Sequence, residues 1–370
     1  MKGIFITYGQ GSAIDNTGVG LKIKGQINAF CQNGIDFFEL TLLHSKNPML
    51  RILYRLPLYN GYPIWKYRKE MDNVDCVYLR RPFVMTGYMR HVLQKIRKRN
   101  PKVKIVLEIP TYPYDKEIAH FKTSWLFLMR DRYNRVRLDA VVDRIVTVTK
   151  DNEIFGIQTI KIQNGIDVRN ICPRTFNKEK KNEIHLCAVA TFKEWHAYER
   201  LLFGMIDYYT NGGKIKVILH FIGEGQELPL YKKIVKEHNL EKFVFFHGYL
   251  TGEALDHIYN HFDIGIASLG MHRIGLTSSS ALKTREYLAR GLPIVSSLPI
   301  DVFEMHSFPY CLYVPQDESK ISIEKIIEFY NTIYQRKDAE KVIKEIRKFA
   351  LEYVDIERTM KPVVNFFKGI

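Results

Sequence analysis

Residues 275–295 read GLTSSSALKTREYLARGLPIV, and this stretch is the most informative part of the chain. Three serines precede a run with helical periodicity, which ends at Gly291 just before a proline, an arrangement that commonly stops a helix. The spacing of Leu282, Glu286 and Ala289 predicts that the glutamate lies on the core-facing side of this helix. A carboxylate there needs a hydrogen-bonding partner, because burying it alone is costly.

The start of this helix has the chemistry of a phosphate site. Unpaired backbone N–H groups, serine hydroxyls and Lys283 together favour a bound phosphate. A diol held by Glu286, about one and a half turns further on, would complete a site for a nucleotide-sugar. The alternative is a helix without a ligand, in which Glu286 pairs with Arg285 or Arg290.

The same residues resemble the donor-binding segment of retaining glycosyltransferases of family 4, the group 1 enzymes of capsular and exopolysaccharide synthesis. The resemblance implies the GT-B architecture: two Rossmann-like, doubly wound α/β domains that face each other across a cleft. It also implies that Glu286, within REYLARGLPIV, holds the ribose hydroxyls of the donor. The family usually has another glutamate eight positions earlier, where this chain has Ser278. The residue that contacts the donor sugar therefore stays open.

Further segments of the second half resemble the family in the expected order. In HLCAVATFKEWHAYERLL (185–202), Lys193 and His196 take the place of the family's cations, which implies that they neutralise the diphosphate and assist catalysis. A glycine turn, a loop that reads the base and a cationic loop beside the phosphates follow. Together with Glu286, the implied donor contacts are Gly223, Gly225, Gly248, Tyr249, Leu250, His272, Arg273, Gly275, Leu276, Ser279, Ser280 and Lys283.

The first half resembles the family more loosely. Gly18 and Gly20 directly precede a predicted helix and match the glycine loop that faces the donor, although a plain turn is an alternative. The segment LEIPTYPYDKE (107–117) follows a strand and lacks the histidine that the family often places there. We therefore nominate Glu108 and Asp115 as catalytic, with a loop shaped by two prolines as the alternative.

Length and pattern indicate two domains. A chain of 370 residues exceeds one ordinary core, and strand-like runs alternate with helical segments in both halves, which predicts parallel sheets covered by helices. We place an acceptor-binding domain at 1–167, a linker at 168–182 and a donor-binding domain at 183–352. The resemblance implies that a helix at 353–370 crosses back to the first domain.

Charge and composition indicate the partners. Residues 1–170 contain 28 Lys and Arg against 15 Asp and Glu, which is +13 of the total net charge of +15. The basic, aromatic stretches Arg51–Lys69 and Lys95–Lys102 favour an anionic membrane surface over a merely solvated face. The five scattered cysteines predict neither a disulfide framework nor a zinc site. The chain has no apolar run long enough to span a bilayer and no signal peptide, so we expect a cytoplasmic protein, peripheral to the inner face of the plasma membrane.

These observations predict a retaining glycosyltransferase that moves a sugar from a nucleoside diphosphate to a hydroxyl of a lipid-linked or polysaccharide acceptor. No D-x-D sequence occurs, so we expect no metal and no cofactor apart from the donor substrate. Two alternatives stay open: a nucleotide-sugar epimerase of the same fold, and a non-catalytic basic protein that binds polyanions. Nucleic acid is not an expected partner, because no nucleic-acid-binding module is recognisable.

Overall fold

The computed structural model describes residues 1–9, 18–43, 56, 67–118, 124–175, 183–335 and 338–370. The chain divides into two compact units. The first contains residues 1–165 together with 356–370, and the second contains residues 166–355.

The first unit is built on a sheet of seven strands in the order β2-β1-β3-β4-β5-β7-β6. All neighbours are parallel except β6 and β7, which form a short antiparallel hairpin. The order 2-1-3-4-5 of its first five strands is that of flavodoxin-like sheets. The strands are β1 (Lys2–Gly9), β2 (Asp36–Leu43), β3 (Cys76–Arg80), β4 (Lys104–Ile109), β5 (Arg144–Thr147), β6 (Glu153–Ile154) and β7 (Ile157–Lys161).

Helices cover both faces of this sheet, as the strand–helix alternation predicts. One face packs against α1 and the C-terminal helix α12, where Phe30 and Phe367 meet edge to face at 5.7 Å. The opposite face packs against α2 and the segment around α3 and α4. The helices are α1 (Gly18–Gln32), α2 (Gly87–Arg99), α3 (Asp115–Ile118), α4 (Ser124–Arg135) and α12 (Ile356–Lys368).

The second unit contains a six-stranded, fully parallel sheet in the order β10-β9-β8-β11-β12-β13. This is the 3-2-1-4-5-6 order of a Rossmann fold, in which the chain reverses direction between the first and fourth strands. That reversal lies between β8 and β11. The strands are β8 (Glu183–Val189), β9 (Lys216–Ile222), β10 (Val244–Phe246), β11 (Ile264–Ile266), β12 (Ile294–Ser296) and β13 (Cys311–Tyr313).

Two apolar cores, one on each face, hold the second sheet between its helices. The informative stretch of the sequence forms α8, which ends at Gly291 with a φ of 80°, as the stop signal predicts. The helices are α5 (Glu199–Thr210), α6 (Leu228–Glu237), α7 (Gly252–Tyr259), α8 (Leu282–Arg290), α9 (Asp301–Met305), α10 (Ile323–Tyr334) and α11 (Ala339–Tyr353).

The segment predicted as a linker differs from that expectation in its described part. Val168 is completely buried in a core of the second unit, and the backbone N–H of Arg174 donates to the carbonyl of Arg290 at 3.0 Å. Residues 168–175 therefore pack as part of the second unit, because apolar side chains there reach its core. No helix among the described residues is both long and apolar enough to cross a membrane.

Candidate functional site

The candidate site lies at the carboxyl edge of the second sheet, where β8 and β11 diverge. Parallel α/β sheets bind ligands at such a switch point. The loops that follow the two strands are joined there: the N–H of Leu269 donates to the carbonyl of His196 at 2.9 Å, and the N–H of Gly270 donates to Trp195 at 3.2 Å. The residues predicted at the start of the donor domain and those of the cationic loop therefore lie side by side.

Lys283, on the first turn of α8, lies near this edge and contacts Tyr198, which follows β8. Its Nζ donates to the hydroxyl of Tyr198 at 3.1 Å and lies 5.6 Å from the centre of that ring. Burial lowers the pKa of Lys283 to about 7. The lysine is thus poised between its neutral and charged forms, and an anion beside it would favour the charged form.

His196 stacks on the same tyrosine, with ring centres 5.6 Å apart. Nδ1 lies 2.9 Å from the backbone nitrogen of Lys193 and 3.2 Å from its carbonyl oxygen. The shorter contact, in which the Lys193 N–H donates to Nδ1, corresponds to the tautomer with the proton on Nε2. Burial, reinforced by the nearby Lys283, lowers the pKa of His196 to about 2. His196 is therefore a neutral hydrogen-bond donor and does not supply the positive charge predicted for it. Lys193 instead points its Nζ towards Gln226, at 3.2 Å.

Glycines let the neighbouring loops approach closely at this edge. Gly223 has a φ of 123°, and a Cβ on it would lie 2.0 Å from the carbonyl oxygen of Ala190. Gly225 bridges to Phe192 in the loop after β8, while Gly223 donates to Gly248 at 2.7 Å. The predicted close backbone approach is present, but it joins protein loops to one another.

The predicted base-reading loop follows β10 at the same edge of the sheet. It contains Gly248, Tyr249 and Leu250. The Tyr249 side chain is largely exposed, whereas Leu250 packs partly against a core of the second unit. An exposed aromatic ring beside backbone N–H and C=O groups is suited to a flat polar ligand such as a nucleobase.

Glu286 lies on α8, one turn after Lys283, with 24% of its side chain exposed. Its Oε1 accepts from both Nε and Nη2 of Arg290 at 3.2 Å, and Arg290 also pairs with Asp256 at 2.7 Å. Burial raises the pKa of Glu286, and Arg290 partly offsets this effect. This ion pair with Arg290 is one of the two pairings expected from the sequence if Glu286 binds no ligand. It also holds the carboxylate in one orientation.

The serines before α8 are engaged with the following loop. Ser279 pairs through its backbone with Pro299 and Asp301, and the hydroxyl of Ser280 donates to Asp301 at 2.7 Å. Asp301 also forms a salt bridge with the buried Arg285. The Ser279 backbone and the Ser280 hydroxyl therefore connect the loop after β11 to α9.

Ser278 stands where the family has its other glutamate, and a carboxylate from elsewhere lies beside it. Its hydroxyl is 3.3 Å from Oε2 of Glu304, an exposed residue on α9. No sequence pattern indicates this proximity, since α8 and β12 separate Ser278, in the loop after β11, from Glu304 on α9.

The cationic loop differs from its prediction. His272 and Arg273 both pair with Glu318, at 2.6 Å and 2.5 Å, and Arg273 also pairs with Glu199 at 2.6 Å. Their charge is compensated by these carboxylates, so they are not the free phosphate-binding cations that were predicted. Gly275 ends this turn with a φ of 72°, and the adjacent Leu276 is exposed.

In the first unit, the structure contradicts a catalytic role for Glu108. Its side chain is 1% exposed, and its carboxylate accepts from Lys22 at 2.7 Å and from Arg80 at 3.4 Å. Burial raises the pKa of Glu108, but Lys22 and Arg80 outweigh it and lower the pKa to about 2. A carboxylate enclosed by its own cations does not reach a substrate, so its role is structural.

Asp115 is also held by cations of its own unit. Arg135 and Arg132 pair with it at 2.5 Å and 2.6 Å, and the hydrogen bond from Arg135 is the largest of the effects that lower its pKa. These contacts tie α3 to α4 and differ from the free acid or base that was predicted. Gly18 and Gly20 lie inside the first turn of α1 and not before it.

Some predictions concern residues that the structure does not describe. Most of the basic stretch Arg51–Lys69 and the loop at 10–17 lie outside the described residues. Among the described residues, no three His, Cys, Asp or Glu side chains are arranged to hold a metal ion.

The fold was compared with known proteins. No protein-family profile and no curated protein matches the sequence. Solved structures do match. A sucrose-phosphate synthase (tll1590) from Thermosynechococcus elongatus aligns over 100% of both chains with a TM-score of 0.66 and 14% identity. A glycosyltransferase from Rickettsia africae ESF-5 covers 100% of this chain and 98% of its own, with a TM-score of 0.62 and 14% identity.

Anabaena Alr3699/HepE, solved in complex with UDP, aligns over 100% of both chains with a TM-score of 0.60 and 12% identity. These similarities extend over both units and include the two parallel sheets. The chain therefore has the GT-B fold, and the predicted fold class is confirmed. Identities of 12–14% establish the fold alone.

Proposed function

We propose that this protein is a glycosyltransferase of family 4 type that transfers a sugar from a nucleoside-diphosphate donor. The observation that carries the proposal is that Lys283 and His196 both contact Tyr198 near the switch point of a Rossmann-type sheet, with Glu286 one turn further along the same helix as Lys283. A lysine beside a helix start suits a diphosphate, and a fixed carboxylate one turn along suits a ribose diol. The UDP bound by Alr3699/HepE, a protein of the same fold, supports a uridine nucleotide as the first ligand to test.

In this proposal, catalysis rests on stabilising the leaving group. The bond between the sugar C1 and the diphosphate oxygen breaks, a bond from C1 to the acceptor oxygen forms, and the proton of the acceptor hydroxyl passes to the departing diphosphate oxygen. Lys283 becomes charged beside the departing diphosphate, while neutral His196 donates a hydrogen bond from Nε2. Electrostatic stabilisation of developing charge is commonly the largest contribution to such catalysis. Retention of configuration is part of the proposal through the resemblance, and no residue is assigned as a nucleophile.

We further propose that Glu304 takes the place of the glutamate missing at Ser278 and holds hydroxyls of the donor sugar. The contact between Ser278 and Glu304 supports this assignment, because the Glu304 carboxylate lies 3.3 Å from the Ser278 hydroxyl.

The proposed acceptor is a hydroxyl of a lipid-linked or growing polysaccharide, met at the cytoplasmic face of an anionic membrane. The excess charge of the first 170 residues supports an anionic partner. No metal is proposed: Lys283 and the start of α8 neutralise the diphosphate.

The test has two parts. Calorimetry with UDP and GDP measures donor binding, and incubation with radiolabelled nucleotide-sugars, with and without a membrane lipid extract, measures transfer. Label that moves into lipid or glycan, and persists in EDTA, supports a metal-independent transferase. Conversion of the donor without any acceptor would indicate the epimerase, and absence of nucleotide binding would leave a non-catalytic protein. Loss of transfer in EDTA, restored by manganese, would refute only the metal-independent part.

A further inference from the structure

Helix α4 turns an apolar stripe towards solvent. Trp125, Met129 and Tyr133 follow one another at four-residue spacing, and Val136 continues the same stripe just beyond the helix end. Each of these four side chains is between 56% and 59% exposed. The fully buried residues of α4 are polar: Ser124, Asp131 and Asn134. Phe127 and Leu128 pack partly against the core, so α4 has an apolar stripe facing solvent in addition to its apolar contacts with the core, which is unusual for a helix on a soluble domain.

The inward polar face is fully engaged, so the orientation of α4 is fixed. Asp131 accepts from the N–H of Met85 at 2.7 Å and from the hydroxyl of Tyr114 at 2.8 Å. The side chain of Asn134 accepts from Nε of Arg90 at 3.1 Å. Rotating the helix to bury its apolar stripe would break these bonds and leave a buried carboxylate unsatisfied, which is strongly unfavourable.

Several exposed cations lie on the same unit as the stripe. Arg132 is one of them: it pairs with Asp115 at 2.6 Å and keeps 57% of its side chain exposed. Arg132 lies on the same face of α4, and the guanidinium of Arg137 stacks 3.8 Å from the ring of Tyr133. On α2, which covers the same face of the sheet, Lys98, Arg99 and the following Lys102 are exposed. Together with the net charge of +13 over residues 1–170, this distribution is complementary to an anionic surface.

From this geometry we propose that α4 is the membrane-docking element of the protein, and that its occupant is the surface of an anionic lipid bilayer. Trp125, Met129, Tyr133 and Val136 enter the interfacial region, and the arginines and lysines contact lipid phosphates. Tryptophan and tyrosine beside basic residues are the composition of an interfacial helix. This inference rests on the proposed function, because a lipid-linked acceptor would bring the enzyme to a membrane. It adds the element that contacts the membrane.

The first experiment measures binding to vesicles that mix phosphatidylcholine with phosphatidylglycerol, against pure phosphatidylcholine. The full chain is compared with a variant carrying Trp125→Ser, Met129→Ser and Tyr133→Ser. Its matched control carries Phe203→Ser, Leu230→Ser and Leu351→Ser, three exposed apolar residues of the second unit. We expect the α4 variant to lose about tenfold or more in vesicle affinity, because it removes the apolar area that would be buried. We expect the control to bind like wild type.

A second measurement does not depend on removing the stripe. With Trp65→Phe and Trp195→Phe, Trp125 is the sole tryptophan of the chain. Its fluorescence should shift to the blue on adding anionic vesicles and be quenched by brominated acyl chains. An unchanged spectrum, or an α4 variant that binds vesicles like wild type, overturns the proposal. Self-association in ultracentrifugation that the α4 variant abolishes, without vesicle binding, would assign the stripe to a second copy instead.

Nucleotide calorimetry on the same samples separates this inference from the proposed function. UDP binding without vesicle binding refutes the docking element and leaves the donor site in place. Vesicle binding without binding of any nucleotide supports the docking element and refutes the transferase.

Discussion

The Nζ of Lys283 lies 3.1 Å from the hydroxyl oxygen of Tyr198, and no carboxylate of the residues that the structure describes is its hydrogen-bond partner. The lysine is partly buried, and burial lowers its pKa to about 7. A cation held in this way is unfavourable for the free protein and favourable once an anion arrives. Such sites are expected where function and stability conflict.

We therefore expect Lys283→Met to weaken UDP binding by about tenfold or more, since a charge-assisted hydrogen bond contributes about 1.5–3 kcal/mol. The thermal stability of the free protein should be unchanged or higher, because the variant no longer desolvates an amine. Calorimetry and thermal melts measure the two effects. Lys341→Met, which removes an exposed lysine of α11, is the matched control and should leave both unchanged. Unaltered UDP affinity in Lys283→Met would remove the lysine from the donor site.

The same lysine predicts a pH dependence. With a pKa of about 7, Lys283 is mostly neutral at pH 8 in the free protein, whereas a bound diphosphate favours its charged form. UDP binding at pH 8 should therefore take up about one proton, and affinity should fall by up to about tenfold per pH unit above pH 7. Calorimetry in buffers of different ionisation enthalpy measures the uptake. Lys283→Met should abolish it, and an equal uptake in that variant would point to another group.

The free protein should respond to pH in the opposite direction. The pKa of Lys283 is lowered from 10.5 on folding, so the unfolded chain binds more protons between about pH 7 and pH 10.5. Stability should consequently rise with pH in that window through this group. Denaturant unfolding at several pH values, compared between wild type and Lys283→Met, isolates the contribution.

Glu286 offers a test of the ribose contact. If its carboxylate binds the 2′-hydroxyl, Glu286→Ala and removal of that hydroxyl from UDP should each weaken binding, and their effects should not add, because both remove the same bond. Calorimetry with UDP and 2′-deoxy-UDP on both proteins completes the cycle. Additive losses would mean that Glu286 serves only its ion pair with Arg290.

The sequence predicted the alternating strands and helices and the position of α8 well. It predicted poorly which charged side chains pair with each other. The predicted alternation of strands and helices is present in both halves, because buried parallel strands read as short apolar runs between helices. The two-residue strand Glu153–Ile154 was missed, since it is too short to have a period. The residues that differ from prediction are charged ones. Arg273 and Glu318 are 45 positions apart, and no local pattern indicates which carboxylate a cation will meet.

Tyr198 and Glu304 illustrate the same limit. Tyr198 follows Lys193 and His196 closely in sequence. Nothing in this spacing indicates that its hydroxyl would accept a hydrogen bond from Lys283 on α8. Glu304 contacts Ser278 from α9, the helix that follows the next strand. Both contacts depend on how parallel strands place their carboxyl ends at one edge, which is a property of the assembled sheet.

Glu304 provides a test of the sugar contact. We expect Glu304→Gln to reduce transfer by about tenfold or more while UDP binding stays unchanged, because a hydrogen bond from a sugar hydroxyl to a carboxylate is charge-assisted. Adding Ser278→Glu to Glu304→Gln returns a carboxylate to the position that the family uses and should restore part of the activity. Transfer that is unaffected by Glu304→Gln would refute the assignment. If the double variant regained no transfer activity, this would argue that carboxylates at positions 278 and 304 do not reach the same sugar hydroxyls.

Glu108 and Lys22 form the buried ion pair of the first unit, with Lys22 also donating to Asn164 at 2.8 Å. Glu108→Gln leaves Lys22 buried without its counter-charge, so we expect a loss of about 3–5 kcal/mol in the free energy of unfolding. Replacing Lys22 as well, by Lys22→Met, should recover much of that loss. Glu70→Gln, at an exposed position, is the control and should cost little.

The pH dependence of that pair gives the decisive readout for its role. The pKa of Glu108 is lowered on folding from 4.5 to about 2, so its stabilisation is complete above pH 4.5 and is lost as the pH falls towards 2. Acid unfolding of wild type should therefore be steeper in this window than that of the variant with both Lys22→Met and Glu108→Gln. Transfer per folded molecule should be retained in that double variant at pH 7. A loss of transfer without a loss of stability would return Glu108 to the catalytic role that its burial contradicts.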